Sequence, residues 1–226
     1  MTKELEKRLK LMRRFNQSLG SNKSIYNDKV FVHDNIMYAT DGFIFVVAAN
    51  LTDRKDFSFF RCSSKLFEYL DSSVQEVKED GEELRDGEKL EKILQPLNCA
   101  SVSFDIDFEG YSMPAKLCSG WSKRRVDKIK INLQTEEAVI DFRGGSDIPE
   151  GAAGIYEGVT GTYGDIIKNV SGKIPESPLK FDLWHFMEIM KQCKVKKLRV
   201  ESYPDRNVST CKVGDYTFFL YTYYKY

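Results

Sequence analysis

The sequence predicts an α+β fold, built from a few helices and many short strands. One helix is indicated by residues 3–19, where Leu5, Leu9 and Met12 recur at the i, i+4, i+7 spacing of a core-facing side and Gly20 marks the end. Strands are indicated by runs in which apolar residues are continuous or alternate with polar ones. Aromatic residues make up 13% of the chain, with 15 Phe and 12 Tyr, and they cluster in alternating runs that suit strands.

Composition indicates an ordinary globular protein. The 226 residues, 42% apolar and 30% charged, could form one large domain or two of about 110 residues. The formal net charge is zero, so affinity for a polyanion must come from a local patch. The longest apolar run, residues 43–49, is far shorter than the ~20 residues that span a bilayer, and no hydrophobic signal segment is present. We therefore expect an intracellular, cytoplasmic protein without a membrane span.

The reactive side chains do not form a catalytic or metal-binding pattern. The five cysteines are scattered and form no CxxC pair, which is typical of buried thiols in a reducing compartment: Cys62, Cys99, Cys118, Cys193 and Cys211. His33 and His185 have no ligand-type neighbours at metal-site spacing. No segment assembles a nucleophile, a base and an orienting group. We expect no metal, no cofactor and no enzymatic activity.

The first half of the chain predicts paired strands followed by short helices. Strands are expected at 29–33, 35–40, 43–49 and 57–61, with turns at Asp34-Asn35 and Asp41-Gly42. Ser63-Ser64 is expected to cap a short helix over residues 66–70. The polar segment 74–89 predicts a linker or exposed loop, and residues 88–97 predict a helix.

The second half predicts strands, a long loop, one helix and three more strands. The expected strands are 102–108, 111–117, 126–133, 138–142, 197–202, 208–213 and 216–223. Residues 144–178 are rich in Gly and Pro and predict a loop with a short helix near 165–170. A helix is expected from Asp182, with Leu183, Phe186, Met187 and Met190 on its buried side.

For two candidate ligand sites, the sequence supports an ordinary structural role better than it supports ligand binding. The glycines of residues 158–164 lack the GK[ST] and GxGxxG spacings of phosphate loops, which favours a surface loop. Asp105 and Asp107 share one face of a strand and could hold a cation, but a solvated strand face is the favoured interpretation.

Cationic residues follow one side of the first helix. Lys3, Lys7, Lys10 and Arg14 fall within about 60° of one another, opposite the apolar stripe. Such a stripe can neutralise phosphates without reading bases, although Glu4 and Glu6 also fit an ordinary solvated face with ion pairs. Arg124 and Arg125 form a second basic run. These six residues are the predicted DNA-facing set.

Several segments resemble bacterial-type sliding clamps, the β subunit of the replicative polymerase. Residues 36–48, with the tetrapeptide Ala39-Thr-Asp-Gly42, resemble the strand–turn–strand of a clamp repeat. Residues 181–193 resemble the second helix of such a repeat, and residues 197–202 and 214–221 resemble its closing strands. Residues 60–70 also echo 181–190 as a weak strand-into-helix repeat.

The resemblance implies two clamp-like domains, each with antiparallel sheets on the outside and two helices on the inner face. The expected domains are 1–85, shortened relative to the family, and 86–226, with an alternative boundary near 122. It also implies a homo-oligomeric ring that encircles duplex DNA through sequence-independent backbone contacts and binds a polymerase and a clamp loader. The length allows two domains where bacterial clamps have three, so the oligomer number stays open. The rival interpretations are an adaptor that does not encircle DNA and an unrecognised enzyme.

The aromatic tail is the expected docking surface for partner proteins. Residues 216–226 place aromatic side chains on both faces of a strand, of which one can pack on the core. An exposed aromatic surface is a common anchor for a peptide. The predicted partner-binding residues are Tyr221, Tyr223, Tyr224 and Tyr226. The alternative is a central strand covered on both faces.

Overall fold

The computed structural model describes residues 1–16, 29–41, 44–56, 58–62, 67–71, 101–109, 128–141, 160–163 and 166–221. The chain divides into two compact units. Unit 1 contains Met1–Asn98 and Gly214–Phe219, and unit 2 contains Cys99–Val213 and Leu220–Tyr226. The boundary expected near residues 85 and 86 falls outside the described residues and stays a prediction.

The described elements are two α-helices, two short 3-10 turns and fourteen strands. The helices are α1 (Lys3–Met12) and α2 (Leu183–Cys193), and the 3-10 turns are Arg13–Phe15 and Pro204–Arg206. The strands are β1 (Lys29–His33), β2 (Ile36–Thr40), β3 (Ile44–Ala49), β4 (Ser58–Cys62), β5 (Phe67–Asp71), β6 (Val102–Asp107), β7 (Lys128–Asn132), β8 (Glu137–Asp141), β9 (Thr160–Tyr163), β10 (Ile167–Gly172), β11 (Leu179–Asp182), β12 (Lys197–Tyr203), β13 (Val208–Val213) and β14 (Tyr216–Tyr221).

Unit 1 is an antiparallel sheet that packs against α1. Its strands lie in the order β14–β3–β2–β1–β4–β5, where β14 contributes residues 216–219. The β1–β2 hairpin turns at Asp34, whose φ of 49° is a left-handed conformation that Asp and Asn tolerate. The rings of Phe31, Tyr38 and Phe59 pack on one another, with centroids 5.1 Å apart for Phe31–Tyr38 and 6.0 Å for Phe31–Phe59. This buried aromatic cluster fixes the register of three strands.

Unit 2 contains two antiparallel sheets and α2. One sheet has the order β10–β6–β12–β13 and the other has the order β11–β7–β8–β9. Strand β11 runs directly into α2, and Phe181 on the strand meets Phe186 on the helix with ring centroids 5.0 Å apart. This contact holds the helix against the second sheet.

The predicted α+β class with antiparallel sheets is confirmed. The part of the chain described here holds one α-helix in each unit, so the expectation of two inner-face helices per domain is not confirmed. Helix α1 ends at Met12, earlier than the expected 3–19, and continues as a 3-10 turn to Phe15. On α2 the buried residues include His185 and Ile189, whereas the expected Met187 is only half-buried.

Two predicted helices are wrong. The segment expected to form a helix over residues 66–70 is strand β5, which pairs with β4 in the register Cys62↔Phe67 and Phe59↔Leu70. The short helix expected near 165–170 is strand β10, which pairs with β6 at Ile167↔Ile106. In both cases pairing with a neighbouring strand overrides the local pattern.

The expected loop over 144–178 and the weak internal repeat also need correction. Within that loop, residues 160–163 form β9, which pairs with β8. The repeat fails because residues 60–70 run from strand to strand, whereas 181–190 run from strand into helix.

Some predictions fall outside the described residues. These are the Gly42 turn position, the linker 74–89, the helix 88–97, the strand 111–117, and Cys99 and Cys118. Among the residues that are described, no helix is long and apolar enough to cross a bilayer.

Candidate nucleic-acid interface

Helix α1 has the local features of a well-capped amphipathic helix. The Thr2 hydroxyl accepts a hydrogen bond from the Leu5 N–H at 3.2 Å, which satisfies one of the free donors of the first turn. Glu4 and Glu6 lie in the first turn and Lys10 in the last, so these charges complement the helix dipole. The cap and the distribution of charges therefore stabilise the helix that carries these side chains.

The four cationic residues predicted on this helix are all exposed. Lys3, Lys7, Lys10 and Arg14 lie on the solvent side, while Leu5, Leu9 and Met12 are buried as the apolar stripe requires. Arg14 lies in the 3-10 turn that follows the helix and is still exposed. We call Lys3, Lys7, Lys10 and Arg14 the cationic stripe. Its contact with DNA stays a prediction.

One member of the cationic stripe is held by a neighbouring acid. Lys10 Nζ lies 2.5 Å from Glu6 Oε1, one helical turn away. The hydrogen bond and the charge of Lys10 lower the pKa of Glu6. Among the described residues, Lys3, Lys7 and Arg14 form no ion pair, so three of the four cations are available to an anion.

Arg8 was not predicted as a functional residue, and it is buried beside the apolar stripe. Its Nη1 donates to the Ala49 carbonyl at 2.5 Å and its Nη2 donates to Asp215 Oδ2 at 3.1 Å. The guanidinium also lies 5.7 Å from the centre of the Tyr216 ring. No local spacing could have indicated this role, because the partners lie 41 and 207 residues away along the chain.

The far end of the helix is also anchored inside unit 1. Phe15 meets Phe218 edge to face, with ring centroids 5.2 Å apart, and both rings are fully buried. Buried Asn16 donates from Nδ2 to the Lys29 carbonyl at 2.7 Å. The helix that carries the cationic stripe is thus fixed by packing and by directed hydrogen bonds.

The candidate cation site at Asp105 and Asp107 is occupied by protein cations. Asp107 Oδ2 lies 3.0 Å from Lys197 Nζ and 3.2 Å from Lys168 Nζ. Asp105 pairs with Arg199 at 3.1 Å. Burial opposes ionisation of Asp107, but hydrogen bonds from the Glu109 N–H, Lys197 and Lys168 prevail and lower its pKa. These carboxylates join β10, β6 and β12.

The described thiols and imidazoles have structural environments. Burial raises the pKa of the Cys193 thiol to about 11 and also raises the pKa of buried Cys211. His185 is buried, with Nδ1 4.0 Å from Asp182 Oδ2. Within the described ranges, no group of His, Cys, Asp and Glu is arranged to hold a metal ion.

Of the predicted partner-binding tyrosines, the structure describes one. Tyr221 is 46% exposed at the end of β14. Its neighbours Phe218, Phe219 and Leu220 are buried, so this part of the strand is covered on both faces, as the alternative interpretation held. Tyr223, Tyr224 and Tyr226, and the basic residues Arg124 and Arg125, lie outside the described residues. Docking at this tail stays a prediction.

No family model and no curated protein sequence matches this chain. Solved structures do match it over nearly its whole length, and many are bacterial DNA polymerase III β sliding clamps. The clamp of Streptococcus pneumoniae matches 99% of this chain and 63% of its own, with a TM-score of 0.56 and 10% identity. The match with the clamp of Thermotoga maritima covers 100% of this chain and 65% of that clamp, with a TM-score of 0.55 and 8% identity. The match with the clamp of Bacillus subtilis covers 99% of this chain and 63% of that clamp, with a TM-score of 0.53 and 11% identity.

The chain therefore has the fold of bacterial sliding clamps, as its sequence resemblance led us to expect. It spans less than two thirds of the length of these clamps, between 63% and 65% for the three named above. The low identity limits the likeness to the fold.

Proposed function

We propose that this protein is a DNA sliding clamp, a non-catalytic processivity factor that encircles duplex DNA as a homo-oligomeric ring. The observation that carries the proposal is the combination of the clamp fold with the exposed cationic stripe of α1. The fold supplies the architecture, and the stripe supplies a surface for phosphates on a chain with no net charge.

The cationic stripe suits contact with a DNA backbone along which the protein must move without binding at one position. From Lys3 to Arg14 it extends roughly 16 Å at 1.5 Å per residue, which spans several phosphates of a duplex. Lysine and arginine contacts to phosphate oxygens carry no sequence information. Contacts of this kind suit a protein that slides on DNA of any sequence.

Reversing charges in the stripe tests the DNA contact. Lys7→Glu combined with Lys10→Glu should weaken binding to a fluorescent duplex at low salt, measured by anisotropy, while circular dichroism stays unchanged. The matched control is Lys173→Glu with Lys212→Glu, which reverses two exposed lysines of unit 2. Equal affinities for the stripe variant and the control would count against the stripe as the DNA surface.

The mass in solution separates a ring from an adaptor. A closed ring requires a symmetric oligomer of defined size, whereas an adaptor or an enzyme can be a monomer. Sedimentation equilibrium should therefore give a single oligomer across a wide range of concentrations. A monomer at all concentrations would favour the adaptor.

We further propose that a polymerase and a clamp loader dock near Tyr221 and the tyrosines that follow it. The exposed ring of Tyr221 supports this proposal, because exposed aromatic side chains commonly anchor partner peptides. Deleting residues 223–226 should abolish stimulation of the partner polymerase while the oligomer persists. Stimulation that survives the deletion would place the docking surface elsewhere.

A further inference from the structure

Arg8 occupies a position where the rest of the helix face is apolar. Its side chain is 5% exposed, and Leu5, Leu9 and Met12 are buried on the same helix. A buried charge without partners would be strongly destabilising, and an apolar side chain of similar volume often packs at no loss of stability. Packing alone therefore does not account for an arginine at this position.

The guanidinium of Arg8 joins three parts of unit 1. Separate nitrogens reach the carbonyl of Ala49, the last residue of β3, and the carboxylate of Asp215, which directly precedes β14. The planar group also lies near the ring of Tyr216, the first residue of that strand. We call these contacts of Arg8 with Ala49, Asp215 and Tyr216 the Arg8 latch.

The Arg8 latch gives the helix directional contacts that apolar packing cannot supply. Hydrophobic burial is non-directional, so Leu5, Leu9 and Met12 hold α1 on the sheet, and hydrogen bonds add the directional constraints. Hydrogen bonds from the planar fork of Arg8 to the Ala49 carbonyl and the Asp215 carboxylate constrain both the rotation and the axial position of the helix. Arg8 lies on the same ten-residue helix as Lys3, Lys7 and Lys10, and Arg14 follows in the 3-10 turn.

We propose that Arg8 is a positioning residue that sets the direction in which the cationic stripe faces DNA, and that Asp215 and Tyr216 hold it there. This inference rests on the function proposed above. Helix side chains end about 5–6 Å from the axis, so a rotation of about 30° moves them by roughly 3 Å. A shift of that size separates an ammonium group from a phosphate oxygen that it contacted. Disturbing the latch should therefore reduce the number of phosphates contacted without changing any residue of the stripe.

Asp215→Asn provides the sharpest test, because simple electrostatics and the latch predict opposite results. Removing a negative charge should strengthen DNA binding if charge alone matters. The latch instead predicts weaker binding, because Arg8 loses its ionic partner. The side chain of Asp215 is 72% exposed, so its replacement leaves the core intact. Asp53→Asn is the matched control, since it removes an equal charge from an exposed site of unit 1.

The readout is the salt dependence of binding to a short duplex of mixed sequence, followed by fluorescence anisotropy. The logarithm of the binding constant falls with the logarithm of salt concentration by about 0.9 for each phosphate neutralised. We expect the magnitude of this slope to fall by about one in Asp215→Asn and in Arg8→Met, and to stay unchanged in Asp53→Asn. Arg8→Lys keeps the charge but lacks the planar fork, so it should restore only part of the slope.

An unchanged slope in Asp215→Asn, together with an unchanged or higher affinity, would overturn the proposal. If Arg8→Met does not fold, Asp215→Asn decides the question. A lowered melting temperature with an unchanged slope would assign Arg8 a purely structural role. If the proposed clamp function itself is wrong, the result differs. Duplex DNA would then bind equally well to the wild-type protein and to variants of the cationic stripe.

Discussion

Replacing Phe218 with Ala tests whether the last described strand packs, within unit 1, on the 3-10 turn that follows the first helix. Phe218 and its partner Phe15 are both 0% exposed, and their ring centroids lie 5.2 Å apart. A buried phenylalanine removes about 150–200 Å² from water, which at about 25 cal/mol per Å² corresponds to roughly 4–5 kcal/mol. Truncation to Ala in other protein cores costs about 3–5 kcal/mol, in agreement with this figure.

Urea unfolding followed by far-ultraviolet circular dichroism measures the loss. With a denaturant slope of about 1–3 kcal/mol per M urea, the midpoint should fall by about 1–5 M. Tyr221→Ala is the control on the same strand, because its ring is 46% exposed. Its effect should be about half of that of Phe218→Ala or smaller, because roughly half of its surface is already in contact with water.

A double-mutant cycle isolates the contact between the two rings. Edge-to-face aromatic pairs couple by about 0.5–1.5 kcal/mol beyond their burial, so Phe15→Ala and Phe218→Ala together should cost less than the sum of the single losses. Strict additivity, or a loss below about 1 kcal/mol for Phe218→Ala, would refute the packing of β14 against the 3-10 turn that follows α1.

Three further predictions follow from the charged and thiol groups. Glu6→Gln releases Lys10 and removes a negative charge beside the cationic stripe, so the affinity for duplex DNA should rise about two- to fivefold; unchanged anisotropy titrations would contradict this. Asp107→Asn should lower the free energy of unfolding by about 1–3 kcal/mol at neutral pH. Because the folded-state pKa of Asp107 is lowered, its contribution is complete above its unfolded pKa and is lost as pH falls through the folded pKa, so urea midpoints of the wild type and variant should converge in acid. Cys193, with its pKa raised to about 11, should be alkylated at pH 8 more slowly than free cysteine, as peptide mass spectrometry can follow; equal rates would contradict its burial.

Local sequence predicted those elements whose stability is encoded locally. Strands β1 and β2 follow from an apolar run on each side of Asp34-Asn35, and α2 follows from its apolar spacing after Asp182. Strand β5 was missed because apolar residues at 66, 67, 69 and 70 also fit a helix. Its pairing with β4 decides the outcome, and local periodicity does not contain that information.

Strand β10 was missed for the same reason, because its polar side chains make contacts with residues that are distant in the sequence. Its sequence, Ile-Lys-Asn-Val-Ser-Gly, has little strand propensity and follows a glycine-rich segment. Lys168 contacts Asp107, and Ser171 accepts a hydrogen bond from Arg199, across separations of 61 and 28 residues. These long-range contacts stabilise a strand that the local sequence does not favour.

The candidate site was predictable only in its exposed part. The cationic stripe follows from helical spacing alone, and the structure places all four residues in solvent. Arg8 was missed, because a cation next to an apolar stripe has no distinguishing local pattern and its partners come from distant segments. The same limit applies to Asp107, whose basic partners come from two neighbouring strands.

Retention on DNA with blocked ends tests encirclement most directly. The protein is threaded onto a linear biotinylated duplex from its free ends, the ends are closed with streptavidin, and the complex is washed at high salt, which removes simple electrostatic contacts. A ring around the duplex predicts that the protein remains on blocked DNA and is lost from otherwise identical unblocked DNA. Equal loss from both would show that the protein does not encircle DNA.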